Sequence, residues 1–283
     1  MKTFLEISIS ASQSQQELLI PTMVELGCQG FQEQESSLLC YIEKSRWSDE
    51  KYGALKEELK KLLQTISSNT HVAFREIVEE NWNEQWERSL QPIEIGKRLV
   101  IKPSWSSYEN KNGRTIILID PKMSFGTGYH ESTRLTLQLL EKYVSHGCSV
   151  LDVGTGTGVL AIAAVKLGAK SALGIDIDEW SIENAKENVV ANDVVGKVTI
   201  SSEPLSHLHE TLFDVITANL TLNTNRELLP QFHALLRTKG VVIVSGLLRS
   251  DEQTMTNHLK EQQFTFLEEC TENEWIAIAA QKN

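Results

Sequence analysis

Cysteine is scarce and scattered: Cys28, Cys40, Cys148 and Cys270 stand far apart, with no CxxC pair. That pattern offers no zinc framework and suits a reducing compartment better than a disulfide scaffold. Long apolar runs are missing too, since none approaches the roughly twenty residues that a helix needs to cross a bilayer. The opening stretch MKTFLEISIS carries one lysine but alternates polar and apolar residues, unlike the continuous apolar core of a secretory leader. The expectation is a soluble, cytoplasmic chain with no membrane partner. Basic charge is short as well, with 27 Lys and Arg against 38 Asp and Glu, a formal net charge of −11. Phosphates need compensating cations, so direct nucleic-acid binding is not expected. The acidity suits a basic protein partner, and solubility alone accounts for it equally well. Internal repeats and low-complexity segments are absent.

What is present divides into two patterns. The 283 residues, 41% apolar, are enough for one large domain or two unequal ones. TFLEISIS alternates as a half-buried strand, and SQSQQELLIPTMVELG reads as a helix opened by a Ser cap and closed by Gly27. Two short strand-like runs follow, then the amphipathic SDEKYGALKEELKKLLQTI and a returning strand HVAFREIVE. Strand, helix, two strands, helix, strand is the split βαβ order, which places a small α+β, ferredoxin-like domain at 1–78. Trp82, Trp86 and Leu90 recur every four residues and suggest a linker helix over 79–95. RLVIKPSW and RTIILIDP then read as the two strands of a hairpin. From residue 134 to the end of the 96–283 segment, short apolar strands alternate with helices, which means a mostly parallel sheet covered on both faces. The last two strands, FTFLEEC and EWIAIAAQ, are too close in sequence to be anything but antiparallel.

Two glycine-rich stretches punctuate this α/β half. In DVGTGTGVLA, Asp152 ends a buried strand and Gly154, Gly156 and Gly158 follow at the mouth of the first βαβ unit, where open sheets bind ligands. Asp176 ends the next strand, placed to accept hydrogen bonds from both ribose hydroxyls of an adenosine-containing ligand. Asp178 suits a helix cap. A dinucleotide turn remains open, because the glycine count also passes when read from Gly156 to Ala161. Against it stands Asp152, a carboxylate that would repel a pyrophosphate yet favour the cationic sulfonium and amino group of S-adenosylmethionine. The final antiparallel hairpin matches the sheet of Rossmann-like class I methyltransferases by analogy of fold. The earlier stretch, MSFGTGYHEST, lies just before a helix that Ser132 and Thr133 are placed to cap. Phe125 offers an apolar cover for a thioether or an adenine. His130 is a candidate base, or a structural histidine near a helix start.

MSFGTGYHEST, VLDVGTGTGVLAIAAVKLGAKSALGIDIDEWSIENAKENVVAN and FDVITANL together resemble the methyltransferase of large-subunit ribosomal protein eleven. The likeness spans the catalytic half and the NWNEQWERSLQPI linker, and the FGTG loop is its specific part. Tyr129, Ser132 and the polar NLTLNT run depart from the usual pattern. The resemblance implies donor contacts at Thr133, Gly154, Asp176 and Asn219. Phe125, Gly126 and Thr127 would close over the methionine end, with Asp152, Gly156 and Gly158 completing the cradle beneath. It implies S-adenosylmethionine as cofactor and N-methylation of lysine or N-terminal amines of large-subunit ribosomal protein eleven. Asn219 would orient the amine or the donor, His130 remains the candidate base read from the loop itself, and no metal is called for. The small N-terminal domain would grip the substrate protein, and nothing demands more than a monomer. The alternatives are another nitrogen-directed protein or RNA methyltransferase, an NAD-dependent dehydrogenase, or a donor-binding module without catalysis. The glutamine-directed type has Asn-Pro-Pro-Tyr where this chain has Asn219, Leu220 and Thr221.

Overall fold

The structure, a computed structural model, describes residues 3–43, 53, 71–78, 90–120, 124–208 and 212–283. The helices expected over SDEKYGALKEELKKLLQTI and around Trp82 and Trp86 lie outside them. The chain forms two compact units, Met1–Glu84 and Gln85–Asn283.

In the first unit, strand β1 (Thr3–Ser10) runs antiparallel to β3 (Ser37–Glu43) and β4 (Val72–Val78), and β2 (Gly30–Glu33) pairs with β3. The order β2-β3-β1-β4 is that of the split βαβ arrangement. Alternation decides the buried face: Leu5, Ile7 and Ile9 of β1 face inward with Leu38, Cys40 and Ile42 of β3. Helix α1 (Gln13–Glu25) covers that face with Leu19 and Met23. At its start the Gln15 side chain accepts a hydrogen bond from the Ser12 N–H at 2.9 Å, the reciprocal half of a capping box.

The second unit is built on a seven-stranded sheet. Its strands are β8 (Ser149–Val153), β9 (Ser171–Ile175), β10 (Val198–Ser201), β11 (Phe213–Asn219), β12 (Leu236–Leu248), β13 (Phe264–Glu272) and β14 (Trp275–Lys282). The order is β10-β9-β8-β11-β12-β14-β13. All neighbours up to β12 are parallel, and β14 enters antiparallel between β12 and β13. Neighbouring residues point to opposite faces, so Val150 and Val215 join one apolar core while Leu151 and Ile216 join the other. Helices α2 (Glu131–Tyr143) and α3 (Val159–Leu167) close the first core with Leu135, Leu139 and Ile162. Helix α4 (Glu179–Ala191) adds Val189 to the same core. On the other face α5 (Leu222–Leu235) brings Phe232, and α6 (Glu252–Glu261) brings Met255 and Leu259.

Two details differ from the sequence reading. RLVIKPSW and RTIILIDP are not a hairpin: β6 (Leu99–Lys102) pairs parallel with β7 (Thr115–Leu118), and the antiparallel partner of β6 is β5 (Ile93–Ile95). The segment between β6 and β7 is long enough to return the chain to the same end, which a tight turn cannot do. The helix predicted to run through NRELLPQFHALLRTKG stops at Leu235, and β12 begins at Leu236. Leu236 already pairs with Phe213, and Lys239 takes φ +65, so the chain turns within the strand start rather than in a helix.

Candidate functional site

Each parallel strand of this sheet delivers its carboxyl end to one edge, and there a cavity of about 770 Å³ opens. Val153 at the end of β8 and Gly154 just past it reach the cavity, as do Ile175 at the end of β9, Asp176 just past it and Asn219 at the end of β11. Phe125, His130 and Trp275 contribute an aromatic wall.

The two glycine loops are bonded to each other. The Thr157 N–H donates to the Phe125 carbonyl at 2.9 Å, and the Thr157 hydroxyl donates to the Gly126 carbonyl at 2.6 Å. Gly156 sits in the contact with φ +54, and a Cβ there would stand 2.2 Å from the Phe125 carbonyl oxygen. A side chain at Gly154 would likewise run into Leu220, at 2.5 Å. At Gly156 only glycine lets the two backbones approach so closely. The Asp176 carboxylate ties the second loop to β9, accepting from the Gly156 N–H at 2.9 Å and the Asp178 N–H at 3.1 Å. Asp178 caps α4 as its sequence position suggested, accepting from the Ser181 N–H at 2.9 Å.

Asn219 is held from one side. Its amide donates to the Thr133 hydroxyl at 3.3 Å, which fixes the side-chain rotamer. That leaves Oδ1 buried and without a partner among the described residues, beside the cavity. A buried carbonyl oxygen left unsatisfied costs on the order of 1–3 kcal/mol, so the site is arranged to receive a donor there. Thr133 itself lies behind Asn219, fully buried.

Helix α2 starts differently from the expectation. Its cap is His130, whose Nδ1 accepts from the Ser132 N–H at 3.2 Å and lies 2.8 Å from the Ser132 hydroxyl; Ser132 and Thr133 are buried in the first turn. The imidazole is wedged between Phe125 and Trp275, with ring centroids 5.4 and 4.5 Å away. With Nδ1 engaged, the neutral ring carries its proton on Nε2 and has no spare lone pair for a base. The geometry therefore favours the structural reading of His130.

Phe125, His130, Gly154, Gly156, Asp176 and Asn219 thus meet on the cavity wall, while Gly126, Thr127, Thr133, Asp152 and Gly158 do not line it. Thr127 accepts from the Tyr129 N–H at 3.4 Å, and Gly158 caps α3 at φ 80. Asp152 departs most from the expectation that it faces a cationic ligand. It is fully buried, and its carboxylate accepts from the Thr155 hydroxyl at 2.6 Å and the Thr217 hydroxyl at 2.7 Å. It pins the loop to β11 from below.

Sequence reasoning missed the segment after β10, where Glu203, Pro204, Leu205 and Ser206 line the cavity, and also Trp275 at the start of β14. Their chemistry carries no motif. The available signal was position alone: a segment after a parallel strand belongs to the same edge as the other strand ends.

Burial raises the Asp152 carboxyl to about 6, outweighing the hydroxyl bonds that pull it down. Its folded pKa lies above the unfolded value near 3.8, so its ionisation opposes folding at pH 7 and this penalty lifts as pH falls from about 6 toward 4. Asp152→Asn removes the titration. The stability difference between wild type and variant should shift in favour of wild type by up to about 3 kcal/mol between pH 7 and pH 4. Urea unfolding of both proteins across that range checks it, and parallel profiles would contradict the assignment.

A mostly parallel seven-stranded sheet with an antiparallel strand let in beside its last parallel one, and a ligand cradle at the first strand's end, defines a class I, Rossmann-like methyltransferase. Residues 3–283 match the model of the ribosomal protein L11 methyltransferase (PrmA) family. The chain belongs to that family. It is 37% identical over 287 residues to the ribosomal protein L11 methyltransferase of Chlorobaculum parvum, covering 99% of this chain and 97% of the relative. The Chlorobaculum tepidum protein of the same name is 36% identical over 286 residues, covering 99% and 97%. The crystal structure of a ribosomal protein L11 methylase from Lactobacillus delbrueckii subsp. bulgaricus superposes with a TM-score of 0.63 at 33% identity, covering 69% of this chain and all of that one.

Proposed function

We propose that this protein uses S-adenosylmethionine to methylate amines, lysine side chains or the N-terminal amine, of large-subunit ribosomal protein L11 in the cytoplasm. Membership of the family supports the substrate. The observation that carries the site is the buried Asn219 Oδ1, without a partner among the described residues, on the wall of the cavity that Gly154 and Gly156 also line.

The residues present fit that donor. The Gly154 and Gly156 backbone admits close approach, and the Asp176 carboxylate stands at the end of β9 to accept from ribose hydroxyls. Phe125, half-exposed at the rim, covers the site from the FGTG side. When bound, the donor supplies an electrophilic methyl carbon on a sulfonium. The chain's own part is to align an amine with that carbon and to keep water away. Asn219 Oδ1 accepts an amine N–H and thereby sets the direction of the nitrogen lone pair. A lysine amine titrates near about 10.4 in water, and the aromatic wall of Phe125, His130 and Trp275 favours its neutral form by desolvation. The released proton passes to solvent. The N-terminal unit serves to grip the substrate protein, whose basic character suits a chain of net charge −11.

The test is intact-mass spectrometry of purified L11 incubated with this protein and S-adenosylmethionine. The expected result is gain of mass in whole methyl steps. Asp176→Ala should weaken donor binding by about 10- to 100-fold, the loss of charge-assisted hydrogen bonds. Unchanged L11 mass with donor binding intact would sink the substrate assignment.

A further inference from the structure

At the opposite edge of the same sheet, the segments leading into β8, β9, β11 and β12 enclose a second concavity of about 800 Å³. No sequence motif marks it, and the proposed methyl transfer does not use it. Its wall carries His146, Lys170, Asp214, Arg237 and Lys239, with serine and threonine hydroxyls between them. Three permanent cations against one carboxylate is a local reversal in a chain of net charge −11.

The single acid is already committed. Asp214 accepts from the Ser149 N–H at 2.8 Å and the Ser149 hydroxyl at 2.9 Å and forms an ion pair at 3.5 Å with Arg237, whose Nε also donates to the Leu212 carbonyl at 3.4 Å. Lys170 and Lys239 have no ion pair among the described residues, and both are exposed. Lys239 also adopts φ +65, a backbone conformation that side chains other than glycine rarely take. A cation stands at a position where glycine would relax the turn, immediately before Gly240. Clefts lined by one sign of charge concentrate the opposite sign, and guanidinium and ammonium groups side by side favour phosphate oxygens.

We propose that this concavity binds a phosphate-bearing ligand, with Lys170, Lys239 and Arg237 as the contacts. The phosphate belongs either to the backbone of a ribonucleic acid or to a free nucleotide. A volume of about 800 Å³ accommodates one or two nucleotides.

The experiment measures binding of a fluorescein-labelled single-stranded RNA decamer by anisotropy at low salt, and of AMP and inorganic pyrophosphate by calorimetry. Wild type is compared with Lys170→Ala and Lys239→Gly. RNA binding that weakens about tenfold or more in each variant, with a slope of log affinity on log salt of about −2, supports the backbone source. Binding of AMP or pyrophosphate but not RNA, lost in the same variants, supports the free source. Lys239→Gly is informative because it relaxes the backbone: a purely structural lysine would leave affinity unchanged and raise the melting temperature. No binding of any probe, or binding equal in wild type and both variants, overturns the proposal. Neither lysine touches the donor cavity, so methylation of L11 stands or falls independently.

Discussion

Gly156→Val is expected to abolish donor binding while the two units still fold. At φ +54 a residue with a Cβ strains the backbone by about 1–2 kcal/mol, and valine's branching adds to it. The larger effect is collision, because the Cβ would stand 2.2 Å from the Phe125 carbonyl oxygen, and that atom belongs to backbone rather than to a flexible side chain. The loops must part, which breaks the bond from the Thr157 N–H to Phe125 and shifts the Gly156 N–H from Asp176. Donor Kd should rise by at least about a hundredfold, equivalent to roughly 3 kcal/mol. Titration calorimetry with S-adenosylmethionine or its demethylated product reads this directly, and Gly156→Ala, with the same Cβ but no branch, should fall between. Far-ultraviolet circular dichroism confirms the fold. Affinity within a few-fold of wild type would show that the two loops do not form one cradle.

The second large effect is expected at Asn219, and it should appear in turnover rather than in affinity. Removing an oriented hydrogen-bonding group at a reacting centre costs about 10²–10³ in kcat. Asn219→Ala deletes the unpartnered Oδ1 together with the amide that Thr133 anchors. Single-turnover methylation of L11 should slow by that factor, with donor Kd changed by less than about tenfold, since the cradle at Gly154 and Gly156 is untouched. Thr133→Val tests the anchoring separately: it frees the Asn219 amide without removing Oδ1, so kcat should fall by a smaller factor and be insensitive to donor concentration. A kcat for Asn219→Ala within threefold of wild type would remove Asn219 from the chemistry.

Much of the fold is written in periodicity. TFLEISIS, SVLDVG and FDVITANL are strands because their apolar spacing fits a pleated sheet, and the structure places them at Thr3–Ser10, Ser149–Val153 and Phe213–Asn219. Where local signals compete, the reading slips. HALLR consists mostly of good helix formers, yet Leu236 leaves the helix because its backbone pairs with Phe213, a partner far away in sequence. RLVIKPSW and RTIILIDP look like a hairpin because they adjoin, whereas their relative direction depends on the path of the chain between them.

The site divides in the same way. The chain's own order of residues determined the glycine loop after β8, the acid that ends β9, the amide that ends β11 and the family they announce, because each follows a strand whose end must lie at one edge of a parallel sheet. Tertiary structure alone decided which of these groups face the ligand. Asp152 and Gly154 are two residues apart, yet one is sealed beneath the loop and the other opens on the cavity. His130 became a helix cap because Ser132 presents it an N–H, and Trp275 joined the wall because β14 is inserted beside β12. The physical reason is common to all three: side-chain direction and burial follow from what packs across the sheet, and linear spacing does not encode that.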